Sequence, residues 1–492
     1  MKIAHLLAVR RALIASLSQT MRSLGVPVDL STKTSPPPSL GLPQTIDQRP
    51  HRPTVIDIFS GAGGLSLGFE MAGFDVVSAV EYDPVHAATH LYNFPLTEVI
   101  CRDVSEVSAA ALLQSAKLGW NRHNPGLDPA SWDGIVDVIV GGPSCQGFSI
   151  MGKQDVNDSR NQLVLQFVRL IEEIRPRAFC MENVPGFLHS QFSTIREEAL
   201  KRFRAAGYSI SGDTTVHKAV DFGVPQKRRR VLITGTLHGT VGAPMAERGR
   251  YTVGDALAGL PNPGMYRSTQ TSDRVALSAD DTDALSAEND YAKLATLRGN
   301  GAEYFGHARK VDESILTGFR ATVHRQESVQ RFEATPQGTV ERISRAFRLS
   351  ESDAANTLRA GTGRERGAFS ASRPIHPTEA RVILVREAAR LHSFPDWFRF
   401  HTTNWHGHRQ IGNAVPPLLA KAVASATMRA LGHSPSKSTL EVIELGNESL
   451  LSLTPTEAAR ALDADDEQIP KRARQVRAPA SSETPTEVMQ VG

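Results

Sequence analysis

The sequence predicts an α/β protein built on a doubly wound, largely parallel sheet, with a second, smaller and irregular region set into it. Three observations carry this reading. Short apolar, β-branched runs such as TVIDIF (Thr54 to Phe59), DVIVGG (Asp137 to Gly142) and AFCMENV (Ala178 to Val184) have the composition of strands buried on both faces. Between them lie segments whose apolar residues recur at helical spacing, the alternation that a parallel sheet requires. After about Arg250 the alternation stops, and helices return only near Arg386.

Each element has its own local reason. TVIDIF ends in glycines, and a helix from about Leu65 to Ala72 stops at Gly73. DVVSAVEY supplies a second strand. From Leu163 to Ile174 the apolar positions fall on one helical face, and Pro176 ends that helix. RRVLITG (Arg229 to Gly235) is a further strand, and REAARLHSF (Arg386 to Phe394) and PPLLAKAVASATMRAL are late helices. Ahead of the first strand, Ser31 to Pro53 is a proline-rich linker, preceded by an amphipathic helix carrying Arg10, Arg11 and Arg22. The last segment is rich in Ser, Thr, Pro and charge and reads as a disordered tail, its basic cluster Lys471, Arg472, Arg474 and Arg477 included. The expected divisions are 1–53 (helix and linker), 54–250 (α/β domain), 251–372 (irregular insert), 373–432 (return to the α/β domain) and 433–492 (tail).

Composition narrows the class. A net charge of +3 over 492 residues neither demands nor excludes a polyanionic partner, because nucleic-acid binding depends on where the charge sits. The three cysteines, Cys101, Cys145 and Cys180, have no CxxC spacing, which argues against a disulfide framework or a cysteine-rich zinc site. No metal ligand set is expected, and a reducing cytoplasmic compartment is. No apolar run reaches the length of a membrane span.

Two stretches carry chemistry. In FSGAGGLSLGF, glycines at a strand-to-helix turn let a ligand approach the backbone and leave helix-terminal N–H groups available. Glu81 ends the second strand, where a carboxylate can hold ribose hydroxyls. The dinucleotide fingerprint is imperfect, since Ser66 takes the third glycine position and Gly63 and Gly64 are adjacent; a glycine-rich turn without a ligand stays open on this motif alone. In GGPSCQGFS, Cys145 follows the third strand at the edge where open α/β sheets bind ligands, and Glu182 ends the next one. A thiolate and a carboxylate on one rim suit covalent attack on a ring with proton handling by the acid. The thiol needs a positive neighbour to ionise, and QKRRR (Gln226 to Arg230) can supply it, with alternation sending Arg228 and Arg230 to one face and Arg229 to the other.

In this order, FSGAGGLSLGF, EYD, RDV, GGPSCQGFS, ENV, QKRRR, HPTEARVILVREAARLHSFPD and RQIGNAVPP, the motifs resemble the bacterial DNA (cytosine-5) methyltransferases, from about Val55 to Ser425. The resemblance implies a Rossmann-like sheet that binds S-adenosylmethionine, using Phe59, Gly61, Gly63, Gly64, Leu65, Glu81 (ribose), Tyr82 (adenine), Asp103 (adenine amino group), Val104, Pro143, Leu163, Asn413 and Val415. It implies Cys145 as nucleophile, Glu182 as the acid on cytosine nitrogen 3, and Arg228 with Arg230 as the residues that hold the base. Gln146, Ser149 and Gln226 would line the substrate side. One departure is Ser144, where the family usually has proline.

The resemblance further implies a flipped cytosine in duplex DNA as substrate, a monomer, and a possible cognate restriction endonuclease. The variable stretch from about Tyr251 to Ser372 would read the DNA, and Arg298, Arg309, Lys310, Arg320, His324, Arg325 and Arg331 could supply its contacts. A tRNA cytosine-5 methyltransferase, a nicotinamide oxidoreductase and a catalytically silent DNA-binding homologue are the alternatives. The long insert, the Cys145–Glu182–Arg228 order, and the intact Cys145, Glu182 and Asn413 respectively speak against them.

Overall fold

The computed structural model describes residues 51–143, 162–246, 249–287, 289–296, 304–361 and 373–464. The apolar runs become the centre of an eight-stranded sheet because strands covered by helices on both faces must be apolar throughout. β1 (Thr54–Ile58), β2 (Asp75–Val80), β4 (Val138–Gly141) and β5 (Ala178–Asn183) are buried along their whole length. The short β3 (Glu98–Ile100) closes one edge. At the other edge stand β6 (Ser209–Ser211), β7 (Val216–Lys218) and the long β8 (Arg229–Thr236). The order is β3-β2-β1-β4-β5-β8-β6, with β7 also on β8. The pairs from β3 to β5 are parallel, whereas β8 runs antiparallel to β5, β6 and β7.

Two consequences place the site. The chain winds outward from β1 in one direction and from β4 in the other, so the carboxyl ends of β1 and β4 flank a crevice at the switch point. Because β8 is antiparallel, its first residues lie beside the last residues of β5, with Leu232 opposite Glu182 and Val231 opposite Asn183.

Helices α1 (Gly64–Met71), α2 (Pro84–Asn93), α3 (Ala109–His123), α4 (Gln162–Ile174) and α5 (Ser193–Ala205) cover the sheet. Val164, Phe167, Val168, Leu170 and Ile171 of α4 are fully buried in the core with Ile56, Val77, Ile139, Phe179 and Ile233. The insert contains only small elements: α6 (Val253–Leu257), β9 (Arg274–Ala276) paired antiparallel with β11 (Ile315–Thr317), α7 (Ala279–Ala287), α8 (Asp290–Thr296), β10 (Arg309–Lys310) and α9 (Gln326–Ala334). The chain then returns through α10 (Val385–Leu391), α11 (Asn404–Asn413) and α12 (Pro417–Ala430). α12 packs directly on α1: a Cβ on Gly68 would stand 2.2 Å from the Cβ of Ala420, so only glycine permits this approach.

The tail departs from expectation. Residues 434–464, read as disordered on composition, pack on the body. β12 (Ile443–Glu444) pairs with β10, and α13 (Pro455–Ala461) buries Ala458 beside Val85, Ala88 and Cys101. The reason is local and apolar together. Thr454 and Glu457 cap α13 reciprocally, Pro455 opens it, and Leu451, Ala458 and Leu462 give it a buried face. The remainder of that tail, its basic cluster and the N-terminal helix lie outside the described residues. Among the described residues no helix is long and apolar enough to cross a membrane.

Candidate active site at the switch point

The turn after β1 is held from below and from the side. Phe59, Gly61 and Gly63 take positive φ (66°, 56° and 108°), curling the chain so that α1 starts at Gly64. Asp57 accepts hydrogen bonds on Oδ2 from the Ser66 amide (3.1 Å) and hydroxyl (2.6 Å), and that hydroxyl also meets His90 Nε2 at 3.0 Å. Ser66 therefore departs from the dinucleotide fingerprint for a purpose: it ties the first helical turn to β1. Burial pushes the Asp57 carboxyl up to about 7, against the opposing Ser66 bonds, and burial pushes His90 down to about 3. The sequence reading missed this trio; its signal is an acid within an otherwise apolar strand.

Glu81 completes the turn. Its two carboxylate oxygens accept the Gly61 amide (2.7 Å) and the Asp83 amide (2.8 Å), and burial raises its pKa above the usual range. Asp83 caps α2. Tyr82 beside it is 48% exposed, a large aromatic face turned to solvent at the carboxyl edge of β2. Asp103 caps a short turn of 3₁₀ helix by accepting from the amide and hydroxyl of Ser105, and the next residue, Val104, is buried. Leu163 packs against the core and Pro143 is buried.

The returning chain closes the crevice from above. A Cβ on Gly64 would fall 2.3 Å from the Val415 carbonyl oxygen, so the GNAVPP segment rests on the glycine turn itself. Val415 is buried and Asn413 is exposed. Over Gly61, by contrast, a Cβ would meet nothing within 4 Å among the described residues. The Ser60 hydroxyl is buried there with no partner among them. Open space over the half-buried Gly61, an unused hydroxyl, a carboxylate at one end and an exposed aromatic beyond it fit an adenosyl group.

The second half of the site lies across β4 and β5. Glu182 is buried, and its carboxylate forms a close ion pair with Arg230 Nε. Its other oxygen lies so near the Gly142 backbone that a Cβ there would approach to 2.8 Å. The acid is thus pinned beside Gly142 and Pro143, where the chain leaves β4 toward Cys145. Cys145 itself, Ser144, Gln146 and Ser149 lie outside the described residues. The other two cysteines are buried in the core, and burial pushes the Cys180 thiol far up, so it stays protonated and unreactive.

The structure divides the roles within QKRRR. Alternation holds, with Arg228 and Arg230 buried and Lys227 and Arg229 exposed. Arg230 pairs with Glu182. Arg228, expected to share that task, donates to the carbonyls of Leu358 (3.1 Å), Gly412 (3.1 Å) and Ala414 (2.8 Å). Gln226, expected on the substrate side, is fully buried; it donates to the Leu391 carbonyl, meets His392 Nδ1 and accepts the Leu358 amide. His392 Nε2 in turn meets the Ala414 carbonyl at 2.9 Å. In this structure both side chains bond to the returning segment, Arg228 through the Leu358, Gly412 and Ala414 carbonyls and Gln226 through Leu391, His392 and Leu358. The basic residues of the insert also divide. Arg309 is buried against Glu70 and stacks on Trp397, so it is withdrawn from any DNA surface. Lys310 pairs with Glu444 and Arg331 with Glu341, whereas Arg325 is exposed; Arg298 lies outside the described residues.

The comparisons agree with this geometry. Residues 53–429 match the family described as C-5 cytosine-specific DNA methylase. The chain is 43% identical over 430 residues to the Type II methyltransferase M.XorII of Xanthomonas oryzae pv. oryzae, covering 87% of this chain and 97% of that one. It is 31% identical over 384 residues to M1.HphI of Haemophilus parahaemolyticus, covering 76% and 87%. A crystal structure described as a DNA modification methyltransferase encoded within a prophage (E. coli) superposes with a TM-score of 0.61 at 33% identity, covering 77% of this chain and all of that one. With family match, relatives and sheet in agreement, the chain belongs to the C-5 cytosine-specific DNA methylases.

Proposed function

We propose that the protein transfers a methyl group from S-adenosylmethionine to carbon 5 of a flipped cytosine in a specific duplex DNA sequence, through a covalent adduct with Cys145. The observation that carries this is the Glu182–Arg230 pair held against Gly142, at the start of the segment bearing Cys145. Bound over the Gly61–Gly64 turn, S-adenosylmethionine supplies an electrophilic methyl group. Glu81 would take the ribose hydroxyls, Tyr82 would lie on the adenine, and the backbone of Asn413 to Val415 would cover the pocket.

The protein's own residues perform the remaining steps. Swinging the base out of the stack costs a few kcal/mol and brings its ring to the rim. Glu182, oriented by Arg230, would give nitrogen 3 a proton that it takes up as the base enters and would take that proton back as the ring regains its aromaticity. The Cys145 thiolate then adds to carbon 6, which makes carbon 5 enamine-like and nucleophilic. After methylation a base removes the carbon 5 proton, and the thiolate leaves to restore the aromatic ring. A monomeric enzyme, a cognate endonuclease sharing its site, and recognition by residues 251–372 belong to the same proposal; the Type II names of M.XorII and M1.HphI support it.

The test is incubation of the full chain with radiolabelled S-adenosylmethionine and either duplex DNA or tRNA, followed by base analysis. Label in 5-methylcytosine of DNA alone is expected; label in tRNA alone would overturn the proposal. For the cofactor half, Glu81→Ala is expected to weaken S-adenosylmethionine binding by about 1–3 kcal/mol, the cost of leaving buried polar groups unpaired. Calorimetry showing unchanged affinity would remove Glu81 from the site.

A further inference from the structure

We propose that Asp75, His123 and His307 form a divalent metal site, suited to Zn²⁺, which fastens the middle of the 251–372 insert to the first residue of β2. The three side chains are buried, and their ligand atoms lie within 4.8 Å of one another. Asp75 Oδ1 is 3.4 Å from His123 Nδ1 and 3.2 Å from His307 Nε2. With zinc–ligand bonds of about 2.0–2.1 Å, neighbouring ligands of a tetrahedral site stand about 3.3 Å apart. Both measured edges meet that spacing.

The decisive detail is the orientation of His123. Its Nε2 faces the Val76 carbonyl at 3.1 Å. A carbonyl only accepts, so Nε2 carries the proton, and in the neutral ring Nδ1 is then a bare lone pair. Nδ1 stands 3.4 Å from Asp75 Oδ1 and has no hydrogen-bond partner among the described residues. A bare nitrogen lone pair that close to a carboxylate oxygen is repelled unless a cation lies between them. A histidine that binds metal through one nitrogen and donates its other N–H to a backbone carbonyl is the usual arrangement.

Arg52 fits the same scheme. It donates to the carbonyls of Gly73, Glu70 and Phe74, and its Nη1 stands 3.4 Å from Asp75 Oδ1, supporting the carboxylate from outside the ligand set. No metal is expected from the sequence alone, because the three ligands come from β2, the end of α3 and the insert. The role follows from the surroundings: the Phe305 amide bonds to the Met71 carbonyl, and the His307 amide and Arg309 side chain bond to Glu70, so a metal on His307 would anchor the same strip of chain.

The alternative is a proton on His123 Nδ1, making an imidazolium–carboxylate pair. To separate them, the untagged full chain is stripped with chelator, then titrated with Co²⁺ and with Zn²⁺. Expected are one ion bound per chain, visible Co²⁺ absorption of tetrahedral type, and a Tm that rises on adding Zn²⁺. His307→Gln and Asp75→Asn should lose the absorption and the Tm response. Should these variants fail to fold, X-ray absorption at the zinc edge of the wild type decides: two imidazoles and a carboxylate support the site. Absence of bound metal at saturating Zn²⁺, or a ligand shell without two imidazoles, overturns it.

Discussion

Cys145→Ala is expected to abolish methyl transfer to duplex DNA while leaving the fold and S-adenosylmethionine binding intact. Carbon 5 of cytosine becomes nucleophilic only once a nucleophile has added at carbon 6, so the loss should exceed the roughly 10²–10⁴-fold typical of removing a proton-transfer group. No other described cysteine can stand in. Cys101 and Cys180 are buried in the core, and Cys180 is held protonated by its surroundings. The cofactor turn is built from β1, α1 and Glu81 and owes nothing to the thiol, which is why binding should survive. The companion measurement uses duplex DNA carrying 5-fluorocytosine. Fluorine cannot depart as a proton does, so the wild type should stall as a covalent adduct on a denaturing gel, and Cys145→Ala should form none. An alanine variant that methylates normally would refute covalent catalysis by Cys145.

Exchanging residues 251–372 for the corresponding segment of a relative with a different target should transfer the target. In the proposed mechanism the chemistry is the same for every cytosine, so Glu182 and Arg230 would not choose a site. Discrimination requires side chains on base edges, each good bidentate contact contributing about 1–3 kcal/mol. The insert offers exposed cations for this, Arg325 among those expected from sequence and Arg342 and Arg345 in addition. Arg309 should be left unchanged in any such scan, because its partner Glu70 is buried and would be stranded. Replacing an exposed arginine should give one of two behaviours. Loss of a phosphate contact weakens all DNA alike and flattens the salt dependence, whereas loss of a base contact relaxes one position of the site. Sequencing of methylated positions reads the result, and an active chimera that keeps the original target would move recognition outside the segment.

The parts of this molecule that were legible in the sequence are those whose physics is local. TVIDI, VIVG, AFCMEN and RRVLITGT are strands within a residue or two of expectation, because burial on both faces leaves an unbroken apolar run. The three-residue strands β3, β6 and β7 carry no such run and went unseen. Strand direction was also invisible. Periodicity is the same for parallel and antiparallel strands, yet only the reversed β8 brings Arg230 to Glu182. The split between Arg228 and Arg230 could not be read either, since their partners Leu358, Gly412 and Ala414 are far away in the chain. The tail was misread because sparse apolar residues in a polar segment look like none, although its capping box was written plainly in TPTE.

The contact between Gly64 and Val415 has a bearing on how the chain reaches its native state. The two residues are separated by about 350 positions, and α1 is packed by α12 through Gly68 and Ala420. A nascent chain emerging from the ribosome can therefore form most of the sheet but not the roof of its own cofactor crevice. Until the GNAVPP segment has been synthesised, the apolar face of α1 (Leu65 and Phe69, which bury Leu419 and Val423) stays without its cover. Closing so long a loop is entropically slow, and such intermediates expose surface that aggregates. Methylating competence should consequently arrive late and all at once in synthesis, and a chain truncated before α12 should be insoluble rather than merely inactive.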